Sequence, residues 1–198
     1  MARPTLKAQQ SERTKAALIA AGRALFSERG YGDVSADEVA AAAQVTTGAV
    51  YHQFASKRGL FIAVFEAVEA EVTAQVAEAF AEHDDAWLGF QSACLCFLDA
   101  SARPDVRQVL LIDGRAVLGW DEWHGIMARY GLGMTRAVVG ALIEAGMLPS
   151  VPVDALTALL FGALNEAAVV VATADDPGAA RDDMATALAR VLDSLRPG

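Results

Sequence analysis

Several things are scarce in this chain, and each scarcity removes a class of function. It holds 2 cysteines and 3 histidines in 198 residues. Cys94 and Cys96 stand two apart in a helical pattern and point to different faces, which suits neither a disulfide nor a two-ligand metal grip. Two reduced, buried thiols are the expectation. His52, His83 and His124 fall in different segments, and His124 has no second His or Cys three or four residues away. No metal and no other cofactor is therefore expected. Ser-His-Asp spacing and phosphate-cradling glycine loops are missing, so the chain reads as a non-enzyme. Uninterrupted apolar runs fall well short of the ~18 residues of a membrane span. The first fifteen residues, MARPTLKAQQSERTK, lack the apolar centre of a signal peptide. The cytoplasm is the expected location, with no membrane partner.

Apolar helix-forming sequence is what the chain has in quantity. Hydrophobic residues make up 54% of it, and its mean hydropathy is +0.30. That much apolar surface needs either a partner subunit or an enclosed cavity. The net charge of −9 is unevenly divided: residues 1–60 carry eight Lys/Arg against five acids, while residues 61–198 carry eight against twenty, giving +3 and −12. A basic head on an acidic body suits a molecule that presents one end to phosphate. A small split also arises by chance, so the motifs must decide.

No strand alternation persists, and helical periodicity runs through every long segment. The pattern predicts an all-α chain of about nine helices: 11–29, 36–43, 47–53, 57–81, 86–100, 105–112, 118–145, 153–174 and 179–195. The seventh holds five glycines, and Arg129-Tyr-Gly-Leu-Gly133 is where a kink is expected. The run from Ser35 to Phe65 is the most informative. Ser35 stands three residues before Glu38, a capping box that starts the second helix. Gln44-Val45 form a turn, Thr46 or Thr47 caps a third helix, and Ser56 caps a long fourth. Two helices of fewer than ten residues are marginal alone, and a helix-turn-helix is the common reason to build such a pair. A recognition helix needs small residues at its start and polar ones that reach base edges or phosphates. Thr46, Thr47, Gly48 and Ala49 meet the first need, and Tyr51 and His52 project from the next turn. Ser35 and Lys57, at the starts of the second and fourth helices, are candidate phosphate anchors.

The run Val45-Thr-Thr-Gly-Ala-Val-Tyr-His-Gln-Phe-Ala-Ser-Lys-Arg-Gly-Leu60 resembles the recognition-helix signature of TetR/AcrR-type bacterial transcriptional regulators. Upstream, Ala16 to Val39 is similar to that family's first helix and the start of its second. The resemblance is specific over about fifty residues and concerns architecture alone beyond them. It carries over Thr47, Gly48, Tyr51, His52 and Lys57 as DNA contacts. Two positions depart from the pattern: Gln44 stands where glycine is usual in the turn, and Gln53 where an aromatic or His is common.

The resemblance also divides the chain. Residues 1–55 would form a three-helix DNA-binding head, and 56–198 a larger ligand-binding and dimerisation body, with the fourth helix connecting them. The eighth helix is apolar nearly all round, and the ninth repeats Met184, Leu188, Val191, Leu192 and Leu195. The family implies a four-helix bundle from these two helices of each chain, a homodimer that sets two heads ~34–36 Å apart on a near-palindromic operator. In the body, Phe90, Phe97, Trp120, Trp123, Met127, Tyr130 and Phe161 suit an apolar cavity, with Asp113, His124, Asn165 and Glu166 as polar candidates. Asn165 and Glu166 could instead pair across the dimer seam. The expectation is a dimeric repressor released from its operator by a small, mostly apolar ligand. The alternative is a helical ligand-binding or adaptor protein that has lost specific DNA binding.

Overall fold

A computed structural model describes residues 5–197. Among the described residues there are ten α-helices, one π-helical segment and no strand. The first helix, α1 (Leu6–Arg29), starts five residues before the expected Ser11, because the Thr5 hydroxyl accepts the Ala8 N–H at 3.3 Å. It buries Leu18, Gly22 and Phe26. Helix α2 (Ala36–Ala42) opens with the expected capping box. Ser35 Oγ accepts the Glu38 N–H at 3.2 Å, and Glu38 Oε2 accepts the Ser35 N–H at 2.8 Å.

Its end explains one departure from the family pattern. Gln44 adopts a left-handed conformation with φ 57, and the Val45 N–H donates to Ala40 O at 3.0 Å. That long-reach bond is how helices commonly close on a glycine; here a residue with a Cβ takes the strained position. Helix α3 (Thr47–Phe54) buries Val50 and packs against α1, α2 and α4. The Gln53 Nε2 donates to Ser11 Oγ at 2.9 Å, tying the end of α3 to α1.

Helix α4 (Lys57–Ala81) is capped by Ser56, whose Oγ accepts the Gly59 N–H at 3.0 Å. At ~1.5 Å per residue it is about 37 Å long. Its first turns carry Leu60, Phe61 and Val64 into the head, where Phe61 meets Phe26 and Tyr31 edge-on at 5.5 and 5.1 Å between ring centres. Its later turns carry Val68, Val72 and Val76 into the body. One hydrophobic core therefore runs through both parts without a gap.

Helix α5 (Ala86–Ser101) packs along α4. The expected short helix after it is a π-helical segment, Val106–Asp113, that runs into α6 (Gly114–Leu118). The single long helix expected over 118–145 is corrected to two, α7 (Trp120–Arg129) and α8 (Gly131–Glu144), bent by 51°. The break falls at Tyr130, inside the segment marked for a kink. Two glycines make it possible: a Cβ on Gly133 would lie 2.4 Å from Ala128 O, and one on Gly131 would lie 2.9 Å from Glu69 Oε1.

Helices α9 (Val153–Thr173) and α10 (Pro177–Ser194) complete the body. By length and composition α9 matches a membrane span, with a mean hydropathy of 1.8 over eighteen residues. In this fold that apolarity has another use, since α9 packs against α5, α8, α10 and the π-helical segment.

The left-handed Gln44 yields the first prediction. Gln44→Gly relieves Cβ strain of ~1 kcal/mol, partly offset by glycine's extra unfolded-state freedom. The variant is expected to melt slightly above wild type; a lower melting temperature would show the turn held by Gln44's side chain.

Candidate nucleic-acid interface and effector cavity

The candidate recognition surface lies on α3. Thr46, Gly48, Tyr51 and His52 are exposed, with Tyr51 53% open to solvent. Thr47 Oγ1 donates to Asp37 Oδ1 at 2.6 Å, which steadies the α2–α3 corner. Ala49 is half-buried. At the start of α2 the Ser35 N–H bond and the Arg29 guanidinium, 2.8 Å away, hold the Glu38 carboxyl down at about 2.

Lys57 is corrected. The sequence offers its ammonium to phosphate, but Nζ turns into the head, donating at 2.9 Å to both Tyr31 O and Val34 O and lying 4.0 Å over the Tyr31 ring. Arg58 is likewise engaged, with Leu118 O at 2.9 Å and Glu122 at 2.5 Å. Three cations missed by motif reasoning remain outward. Lys7, Arg13 and Lys15 are exposed on α1 and form no ion pair among the described residues. The Gln53–Ser11 bond brings this stretch beside α3. Their signal was the basic N-terminal charge count rather than any motif.

The body encloses a cavity of about 70 Å³ between α4, α5, α7, α8, α9 and the π-helical segment. That is several times the ~10–15 Å³ needed by one water. Of the expected ligand residues, Phe90, Phe97, Trp123, Met127, Phe161 and Asn165 line it. Five others do not, and the reasons are physical. Asp113 accepts the Tyr31 N–H at 2.7 Å and belongs to the head–body joint. Trp120 is 61% exposed, stacked on Trp123 and His124 at 5.6 and 5.5 Å, and His124 is exposed beside it. Tyr130 is taken up by the α7–α8 break. Asn165 and Glu166 part company: Asn165 faces the cavity, donating Nδ2 to Phe161 O at 2.9 Å, while Glu166 lies exposed on the outer face of α9.

The sequence reading missed Glu69, Thr73 and Thr135, the remaining polar side chains of the lining. Glu69 Oε1 accepts the Gly131 N–H at 3.2 Å and lies 3.5 Å from Thr73 Oγ1. Burial pushes this carboxyl up, against the smaller opposing pull of those two donors. Cys94 also lines the cavity, its thiol pushed up to about 12 by burial, whereas Cys96 is only half-buried.

A charged joint ties α1 to the turns of α4 that also line the cavity. Arg23 on α1 donates to Glu71 on α4 at 2.7 Å and, through Nε, to Asp105 at 2.9 Å. Arg103 reaches Glu71, Asp105 and Gln75 at 2.8, 2.9 and 2.9 Å. Burial alone would raise Asp105, but the Arg103 and Arg23 guanidiniums outweigh it and hold the carboxyl at about 2.

Comparison with known proteins finds two family matches along the chain. Residues 18–64 match the description "Bacterial regulatory proteins, tetR family". Residues 87–195 match "Tetracyclin repressor-like, C-terminal domain", which is more than half of the chain. The chain belongs to the TetR family. A TetR-family transcriptional regulator from Pectobacterium atrosepticum is 33% identical with a TM-score of 0.85, covering 98% of this chain and 99% of its own. RolR, solved in complex with resorcinol, is 26% identical with a TM-score of 0.72, over 93% of this chain and 89% of RolR. The transposon Tn10 TetC protein of Escherichia coli is 29% identical over 153 residues, 75% of each chain.

As a TetR-family protein, the chain is a DNA-binding transcription regulator with a helix-turn-helix head and a ligand-binding body. Regulators of this family bind DNA operators and act as dimers with small-molecule ligands.

The joint of this TetR-family chain is testable. A carboxyl depressed from 3.8 to about 2 stabilises the fold above the unfolded value and loses that contribution as pH falls through the folded one. Asp105→Asn should cost about 2 kcal/mol at pH 7, with the loss shrinking in urea titrations near pH 3. An undiminished loss at the lower pH would mean that the side chain acts by packing rather than charge.

Proposed function

We propose that the chain is a dimeric repressor, acting in the cytoplasm, that leaves a near-palindromic operator when its body takes up a small, mostly apolar ligand. The observation that carries this reading is α4. The same helix starts in the head, directly after the recognition helix, and forms a wall of the cavity with Phe65, Glu69, Val72, Thr73 and Val76. A ligand that favours one setting of α4 acts on the head through a continuous helix, and its differential affinity for the two settings sets the shift.

On DNA, Thr46, Thr47, Gly48 and Ala49 lie toward base edges, with Tyr51, His52 and Ser35 chiefly positioning the head on phosphate. Lys7, Arg13 and Lys15 supply the long-range attraction. Lys57 serves the same surface indirectly, by fixing the loop around Tyr31 and Val34 to α4.

Dimerisation through α9 and α10 is supported by their outer faces. Leu159 is 72% exposed on a stripe with Ala155, Ala158, Gly162 and Ala163, and Val191 is 53% exposed on α10. Small residues beside one large one allow two such helices to approach closely. Glu166 lies on this face and would sit at the seam. The resorcinol bound by RolR is a one-ring molecule, which supports a compact ligand here.

Selection of bound duplexes from a random pool tests this reading, using wild type beside Tyr51→Ala and Leu159→Arg. A near-palindromic motif is expected from wild type. Tyr51→Ala should bind it about tenfold more weakly, and Leu159→Arg should keep at most a half-site. Lys7→Ala and Lys15→Ala should each lower the salt slope by about 1 without changing the motif. Uniformly poor binding to every sequence at low salt would favour the adaptor alternative instead.

A further inference from the structure

We infer that the cavity is built for an organic cation: a compact apolar or aromatic body carrying a protonated or quaternary amine, with Glu69 as its counter-ion. This rests on the reading of the body as an effector site and specifies the chemistry of that effector.

Glu69 is 6% exposed, yet it lines the cavity. Both of its hydrogen bonds fall on Oε1, from Gly131 N–H and Thr73 Oγ1. Among the described residues no hydrogen bond reaches Oε2, and no Lys, Arg or His lines the cavity. Buried carboxylates are costly unless paired or protonated, and a charged partner for this one would come from the cavity.

The other polar groups point the same way, because most of their donors are already engaged. Thr73 donates to Glu69, Thr135 Oγ1 donates to Gly131 O at 2.8 Å, and Asn165 Nδ2 donates to Phe161 O. Acceptors remain in the cavity, chiefly Glu69 Oε2 and Asn165 Oδ1. An anionic ligand would meet them with one amide N–H of Asn165 and no cationic side chain in the lining to offset its charge. A neutral alcohol or phenol would satisfy the acceptors but leave the carboxylate uncompensated.

A cation does both, and the walls favour it. Phe65, Phe90, Phe97 and Phe161 surround the site with rings, whose faces attract cations most strongly where water is excluded; the Trp123 ring already carries the Arg115 guanidinium at 4.5 Å. The surplus of acids over residues 61–198 raises the local concentration of cations around the body. Glu69 stands on α4 itself, so the ion pair would form on the helix that carries the head.

The test uses the full chain and three probes of similar shape, followed by calorimetric titration: benzyltrimethylammonium, its uncharged carbon isostere neopentylbenzene, and phenylacetate. Benzyltrimethylammonium should bind wild type roughly a hundredfold more tightly than it binds Glu69→Gln, while neopentylbenzene binds both alike and phenylacetate only the variant. Phe161→Leu, which keeps the charge and removes a ring, should weaken the cation by about fivefold and leave the isostere little changed.

Ligand-free melting gives an independent readout. Burial raises the Glu69 carboxyl above its ordinary 4.5. It therefore destabilises the fold increasingly as pH rises past that value. Glu69→Gln should melt above wild type at neutral pH, with the gap closing as pH falls toward 4.5. A wild type more stable than the variant at neutral pH would show the carboxylate satisfied internally and overturn the inference. Equal binding of the cation to wild type and Glu69→Gln would overturn it too, while leaving the effector site standing. Failure of benzyltrimethylammonium to bind wild type would overturn the cation inference, while neopentylbenzene binding in the same titrations would leave the effector site standing.

Discussion

One helix carries a single core from the head into the body, and that constraint organises the molecule. An α-helix resists bending because each turn is held by its own backbone hydrogen bonds. Phe61 locks the first part of α4 among the aromatic rings of the head, and Val72 and Val76 lock the later part in the body. Neither end can shift without work being done at the other. The Arg23–Glu71–Asp105–Arg103 joint adds a second tie, set beside the first rather than across it. It clasps α1 and the start of the π-helical segment to the middle of α4.

The cavity sits where this helix meets the most irregular stretch of the fold. The π-helical segment, the short α6 and the break at Tyr130 all occur within twenty-five residues. Irregular helices leave backbone groups free to point at something other than their own turn. Here the Gly131 N–H at the start of α8 points at Glu69, placing the positive end of a helix against a carboxylate. That contact offsets part of the cost of burying the charge. It also explains why position 131 has no side chain: a Cβ would press on the oxygen being held.

Local rules made much of the head legible. The capping box at Ser35, the turn at Gln44 and the cap at Ser56 depend on residues within a few positions of one another, and all three form where the sequence puts them. Tertiary ties were not legible in that way. Lys57 reads as a free cation until the loop around Tyr31 is folded over it. Asp113 reads as a cavity group until it meets the Tyr31 N–H, eighty-two residues earlier. Glu69 was within reach. It lies four residues after Phe65 and three before Val72, inside the apolar stripe of α4, where helical spacing alone marks it as inward. The break at Tyr130 was half legible: glycine marked the place, but the 51° bend depends on what α8 packs against.

The uneven division of charge has a consequence for time rather than for affinity. A molecule with twelve excess negative charges over residues 61–198 behind three excess positive ones over residues 1–60 behaves in the field of a polyanion like a weighted dart. It is turned while still in free diffusion, so that most encounters begin with the correct end forward. Counter-ions blunt the turning as well as the attraction, since both act over the same screening length. Added salt therefore slows the search twice over, through fewer collisions and through a larger share of them made with the wrong end.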